Sequence, residues 1–210
     1  MNLQKYKTIF WDFDGVIINS DEVRTEGFRF IFSNFTPKQI NNIVEYHLNN
    51  GGLSRYDKID YFFDVILKTE VSLKYKEQFI TKYSDFCFRR LCNKNLLISN
   101  SLKFILKNFN LFNFHIVSAS DQVELKRIAK DLSIEKYFKT IVGSPTTKIK
   151  NIEKLISTYQ YNKEECCLIG DSKNDKIAAE NNRIDFYGYN NHNLKSKSNY
   201  IDDFKKINSK

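Results

Sequence analysis

Residues 9–15 read Ile9-Phe10-Trp11-Asp12-Phe13-Asp14-Gly15, an apolar run that ends in two carboxylates and a glycine. A second run, Cys166-Cys167-Leu168-Ile169, ends in Gly170-Asp171-Ser172-Lys173-Asn174-Asp175. Short, nearly continuous apolar runs flanked by helical periodicity are the pattern of strands buried on both faces of a parallel sheet. Carboxylates at the ends of two such strands are costly unless a cation holds them, and hard oxygen ligands point to Mg²⁺. Further runs at 114–117, 140–142 and, more weakly, 185–189 complete a set of five strands. Helical stretches lie between them at 101–109, 121–132, 148–159 and 174–181, the second opened by a capping-box pattern of Asp121 and Glu124. Alternating strands and helices predict an α/β fold with a doubly wound parallel sheet.

Residues 18–95 break the alternation. They contain no strand pattern and read as four amphipathic helices, one of them over 53–67, inserted directly after the first strand. The expected organisation is a core of residues 1–17 and 96–210 carrying a helical cap of residues 18–95. In open α/β sheets, ligands bind at the carboxyl ends of the strands. Each of the first four strands ends in residues that make poor core: Asp12 and Asp14, Ser118 and Ser120, Ser144 with Lys148, and Asp171 with Asp175. One crevice therefore gathers hydroxyls, a lysine and up to four carboxylates.

Composition narrows the function classes. The formal charge is +8, but lysines are spread along the chain, and the one basic cluster is the tail from Lys195 to Lys210. That tail reads as a frayed terminus and the lysines as solvated faces, with no nucleic-acid partner expected. A basic field would still attract an anionic phosphate ester. No signal segment or apolar stretch long enough for a bilayer is present, so a cytoplasmic protein without a membrane partner is expected. Cys87, Cys92, Cys166 and Cys167 fit reduced, structural thiols, the last two on opposite faces of one strand. His47, His115 and His192 are too scattered for a metal cluster, and the 18 Phe and 12 Tyr read as core filling. Oligomeric state is not encoded legibly; a monomer is the expectation.

Asp12 and Asp14 are two apart, so in an extended strand end they leave the same face. Asp12 would attack phosphorus to give an aspartyl-phosphate. Asp14 would protonate the leaving alkoxide and then deprotonate water. A carboxylate attacks a dianionic phosphate poorly, so Mg²⁺ and Lys148 must cancel charge. Asp12, the Asp14 carbonyl, Asp171 and Asp175, direct or through water, are the expected metal ligands. Ser118 and the Ala119 N–H would hold non-bridging phosphate oxygens.

The segments FWDFDGVIINSDE, IVSAS, GSPTTK and LIGDSKND, in this order, resemble the four motifs of the haloacid dehalogenase superfamily. The resemblance implies a Rossmann-like core and the roles just assigned. It also implies that the insertion is a C1-type cap, as in the phosphoglycolate phosphatase and β-phosphoglucomutase branch. Asn19 departs from the pattern, since relatives usually carry a second aspartate there. Dehalogenating members lack the second motif-one aspartate, so Asp14 favours phosphate chemistry. Phosphonate-cleaving members use a cap lysine as a Schiff base; Lys58 is the residue to consider, although it reads as a helix-surface lysine.

Discrimination between esters falls to the cap. Residues 49–55, Asn-Asn-Gly-Gly-Leu-Ser-Arg, resemble the specificity loop of C1-capped relatives, often found in polysaccharide-pathway phosphatases. Gly52 and Arg55 are the residues expected to contact substrate there. Glu22 is a further one, with Arg24 and Glu26 beside it on the first cap helix. The expected activity is Mg²⁺-dependent hydrolysis of a small soluble phosphomonoester: a sugar phosphate, an amino-alcohol phosphate or a short hydroxy-acid phosphate. A hexose phosphate mutase and a non-catalytic binding or regulatory protein on the same fold are the alternatives.

Overall fold

The central strand β1 (Thr8–Trp11) is buried along its whole length, and its side chains alternate between two cores. Ile9 and Trp11 face one, Phe10 the other, as a period of two requires. The same alternation puts Cys167 with the first core and Cys166 with the second, both as free thiols. The computed structural model describes residues 3–196 and 199–207. Within them β2 (Asn113–Asp121), β3 (Thr140–Ser144), β4 (Cys166–Gly170), β5 (Asp185–Tyr189) and β6 (Asn199–Ile201) join β1. The resulting parallel sheet has the order β3-β2-β1-β4-β5-β6, a doubly wound Rossmann-like arrangement.

Helices α1 (Asp21–Ile31), α2 (Pro37–Asn49), α3 (Arg55–Tyr61) and α4 (Leu73–Leu91) follow β1 and form the helical cap. The expected helix over 53–67 divides into α3 and a π-helical stretch, Phe62–Leu67. Phe62 and Phe63 are buried there with Phe32 and Phe79, and Phe32 stacks on Phe62 at 3.7 Å. The chain leaves and re-enters the core side by side. Asn19 N–H donates to the Leu96 carbonyl at 2.7 Å, and Ile98 N–H to that of Ile17 at 2.9 Å.

The sheet is then covered by α5 (Ser99–Asn108) and α6 (Gln122–Asp131) on one face, α7 (Lys148–Tyr159) and α8 (Lys173–Asn182) on the other. β2 is longer than the apolar run suggested, extending through Ser118-Ala119-Ser120 with a register shift against β3 after Val117. The basic tail is corrected too. Residues 199–201 form β6, and Phe204 and Ile207 are buried, Phe204 with its ring 5.5 Å from that of Trp11. The remainder of that expected frayed segment, at 197–198 and 208–210, lies outside the described residues. Among the described residues no helix is long and apolar enough to cross a membrane.

Candidate active site

The order of the sheet reverses between β1 and β4, which opens a crevice beyond their carboxyl ends. Asp12 leaves β1 into this crevice and Asp171 leaves β4 beside it. Gly15 makes their approach possible: its φ is +73°, and a Cβ there would lie 2.0 Å from Asp171 Oδ2. Asp175 arrives from the first turn of α8. Its Oδ2 accepts from the Ser172 N–H at 3.0 Å and the Ser172 hydroxyl at 2.7 Å in a capping box. Asp12, Asp171 and Asp175 each offer an oxygen within 4.8 Å of the others.

Lys148, the first residue of α7, places Nζ 2.8 Å from Asp12 Oδ1 and donates to Asp175 Oδ1. Burial works against its charge, but Asp12 and Asp175 outweigh it and hold the ammonium protonated. One lysine cannot balance three carboxylates. Burial, then the Asp175 charge, pushes Asp12 up to about 8 despite Lys148. Burial, then Asp12 and Asp175, pushes Asp171 well above the usual carboxylate range. The site is short of positive charge, and hard oxygens are the donors it presents. That donor set fits a Mg²⁺ ion.

Asp14 has a different environment. Arg24 Nε donates to its Oδ1 at 3.0 Å, and the Ser120 hydroxyl to its Oδ2 at 2.6 Å, with the Ser118 hydroxyl at 3.5 Å. Burial opposes its ionisation, but the Arg24 charge and the Ser120 hydrogen bond hold it down to about 2. Two neighbouring carboxylates are thus driven in opposite directions, the signature of groups with separate tasks.

The cap closes over this pair with charge. Arg24 Nη1 donates to Glu124 Oε1 at 2.5 Å and Nη2 to the Ser120 hydroxyl oxygen at 2.8 Å. Arg55 makes a two-pronged pair with Glu124, at 2.7 and 2.8 Å, and a hydrogen bond to Ser84 at 2.6 Å. Its guanidinium also lies 4.7 Å from the centre of the Tyr83 ring. Glu124 therefore does not close the expected capping box. Asp121 caps α6 alone, through the N–H groups of Val123 and Glu124, while the Glu124 side chain turns to the cap.

Gly52, with φ +80°, seats the cap loop on the core: a Cβ there would meet the Ser172 hydroxyl at 2.6 Å. The Asn174 amide donates to the neighbouring Gly51 carbonyl at 2.7 Å. Beneath lies a cavity of about 100 Å³ lined by Asp12, Asp14, Ser118, Ala119 and Asp171 from the core and by Arg24, His47, Gly52, Arg55 and Lys58 from the cap.

The structure thus brings Asp12, Asp14, Ser118, Ala119, Lys148, Asp171 and Asp175 to one crevice, and Gly52 and Arg55 to its lid. Glu22 and Glu26 are exposed on α1, whereas Asp21, Arg24 and Phe28 line the cavity from the other face of that helix. Lys58 corrects the surface-lysine expectation: it is 4% exposed and lines the cavity. Its spacing of three from Arg55 was the available signal, because the two share a helix face. His47 and Glu124 gave no comparable signal.

The sequence matches the haloacid dehalogenase-like hydrolase family over residues 9–189, and the chain belongs to that family. Compared with curated proteins by sequence, it finds no match. Among solved structures it resembles β-phosphoglucomutase from Clostridium difficile (15% identity, TM-score 0.77, covering 96% of this chain and 92% of that one). It also resembles a predicted phosphoglycolate phosphatase from Haemophilus somnus (16%, 0.75, 96% of each chain). A third is YfnB from Bacillus subtilis, assigned as a HAD hydrolase and described as bound to magnesium with interdomain movement (18%, 0.65, 96% of each chain). At these identities the likeness concerns the fold.

Proposed function

We propose that this family member is a Mg²⁺-dependent phosphatase of a small phosphomonoester, working through a phosphoaspartate at Asp12. The observation that carries the reading is the buried carboxylate cluster, whose Asp12 and Asp171 are driven toward neutrality unless a cation joins Lys148. Asp12, the Asp14 carbonyl and Asp171 would hold the ion, with Asp175 in contact through water because both its oxygens are engaged. Bound there, Mg²⁺ would offset the charge of nucleophile and phosphate.

Asp12 Oδ attacks phosphorus and the bond to the ester oxygen breaks. The leaving oxygen takes a proton from the Asp14 carboxyl. Water then attacks phosphorus, giving its proton to Asp14, and phosphate departs as the Asp12 carboxylate re-forms. Ser118 and the Ala119 N–H hold the non-bridging oxygens. The Arg24 pair keeps Asp14 ionised, which suits the second step. Proton donation in the first step requires Asp14 to loosen from Arg24, so acid catalysis is tied to the position of α1.

EDTA is expected to abolish phosphate release. Mg²⁺ should restore it and Ca²⁺ should not, because Ca²⁺ takes more and looser oxygen ligands and would hold Asp12 bidentate. Full turnover after EDTA and dialysis would refute the site. Release of phosphate, as against isomerisation of a sugar phosphate, separates a phosphatase from a mutase. We place the substrate among small phosphorylated metabolites and the protein in the cytoplasm, with a surface-polysaccharide pathway as one setting.

A further inference from the structure

The carboxylates of Asp12, Asp171 and Asp175 approach within 4.8 Å of one another, and Lys148 bonds to two of them. The loops that carry these groups leave different strands, residues 12–15 after β1 and residue 171 after β4. Like charges drive such loops apart. A further cation could hold them, but it would compete with the metal for the site. Neutral amides fix the spacing without that cost.

Two asparagines at the end of β5 supply those amides. Neither belongs to the four segments that resemble the superfamily motifs. The sheet register brings them to the crevice, since Gly188 of β5 lies opposite Gly170, the residue before Asp171. The Asn190 amide donates to the Gly15 carbonyl at 3.0 Å, and the Asn191 amide to the Asp171 carbonyl at 2.7 Å. Consecutive residues thus grip the two loops, the first of them one residue after the Asp14 carbonyl. Asn190 does so from a left-handed backbone, φ +56°, which asparagine adopts more readily than most residues. Asn191 uses both ends of its amide. Its Oδ1 accepts from the Asn193 N–H at 3.1 Å and caps the turn His192–Leu194, so Nδ2 is the end that faces Asp171.

We propose that Asn190 and Asn191 are positioning residues for the metal, holding the Asp14–Gly15 and Asp171 loops at the separation Mg²⁺ requires before the ion arrives. Mg²⁺ demands near-octahedral geometry, and groups that orient its ligands are worth about 10–100-fold in metal affinity. The proposal rests on the metal site of the phosphatase reading.

Asn191→Asp separates positioning from charge. The replacement keeps the shape of the side chain and still accepts from the Asn193 N–H, so the turn retains its cap. It cannot donate, and its oxygens repel the Asp171 carbonyl. It also brings a negative charge near the ion, which by charge alone would tighten binding. Titration of the metal-free protein with Mg²⁺ in a calorimeter reads the difference. The Kd should rise about tenfold or more in Asn191→Asp. The gain in melting temperature on adding Mg²⁺ should shrink with it. Asn190→Gly removes the other amide while keeping the left-handed backbone unstrained, and it should weaken Mg²⁺ in the same direction. If Asn191→Asp melts below the assay temperature, Asn190→Gly alone decides. A variant that melts lower in EDTA yet binds Mg²⁺ as the wild type does has lost only stability, and that result overturns the proposal. Tighter binding in Asn191→Asp overturns it as well. Asp171→Asn keeps the two readings apart. Mg²⁺ binding that survives this change, or is absent from the wild type, removes the metal site and the proposal with it. Binding lost in Asp171→Asn but unmoved in both asparagine variants removes the proposal alone.

Discussion

Asp12→Asn is expected to leave a folded protein that releases phosphate at least about 10⁴ times more slowly, the scale on which loss of a nucleophile is felt. Asparagine keeps the shape of the side chain, including an oxygen to accept from the Phe13 N–H, a bond now 2.8 Å long. It cannot form the acyl-phosphate. The same change has a signature in stability. Without metal, Asp12 sits at about 8 against an ordinary 3.8, raised by burial and then by Asp175. A group raised on folding contributes stability below its unfolded value and loses it as pH rises through the folded one. In EDTA the wild-type melting temperature should therefore fall between about pH 4 and pH 8, and Asp12→Asn or added Mg²⁺ should flatten that slope. Retained turnover in Asp12→Asn would exclude the covalent route.

The second large effect is at Glu124. This carboxylate is 3% exposed and is bonded to both Arg24 and Arg55, so it joins α6 of the core to α1 and α3 of the cap. Glu124→Gln leaves Arg55 buried with Ser84 and Tyr83 alone. Breaking one side of such a pair costs roughly 3–5 kcal/mol, because the surviving charge stays desolvated. In a chain of this size that corresponds to a fall of roughly 6–20 °C in melting temperature. Arg55→Met combined with Glu124→Gln should cost less than the two single changes together, since each removes the other's stranded partner. Thermal melts of the four proteins measure this. Additive losses would show that the pair is not coupled. Arg55, the residue expected to read the leaving group, directs Nη1 and Nη2 to Glu124 and Ser84, which leaves N–H donors of its five for a ligand. Its removal is therefore expected to change how the cap sits as well as any contact with substrate.

What the sequence made legible follows from physical period and position. Strand ends show in sequence because an apolar run must stop where the chain leaves the sheet. The pattern of runs and their ends therefore places Asp12, Ser118, Lys148 and Asp171 in one crevice from sequence alone. Gly15 reads in sequence only as the glycine that follows two carboxylates; its φ of +73° and its close approach to Asp171 come from the fold. The lid was not. Which face of α1 points inward depends on its docking angle, and so Glu22 and Arg24, two residues apart, could not be separated. Lys58 and Glu124 are ordinary helix residues by composition. Burial makes them unusual: Glu124 is covered by Arg24 and Arg55, 100 and 69 residues away in sequence, and Lys58 by other cap helices through His47 and Phe28. The basic tail reads as frayed because its lysine content masks the spacing of Ile201, Phe204 and Ile207, three apolar residues that join the core containing Trp11 and Phe104.

The most direct test of the covalent route is to catch the intermediate. Protein turning over a phosphomonoester with Mg²⁺ is quenched in acid, reduced with borohydride and digested, and the peptide containing residues 8–14 is sequenced by mass spectrometry. An aspartyl-phosphate at Asp12 is reduced to a primary alcohol. The predicted result is that mass change at Asp12 alone, dependent on substrate and absent in Asp12→Asn. Active protein that shows no reduction at Asp12, or shows it at Asp14, would contradict nucleophilic attack by Asp12.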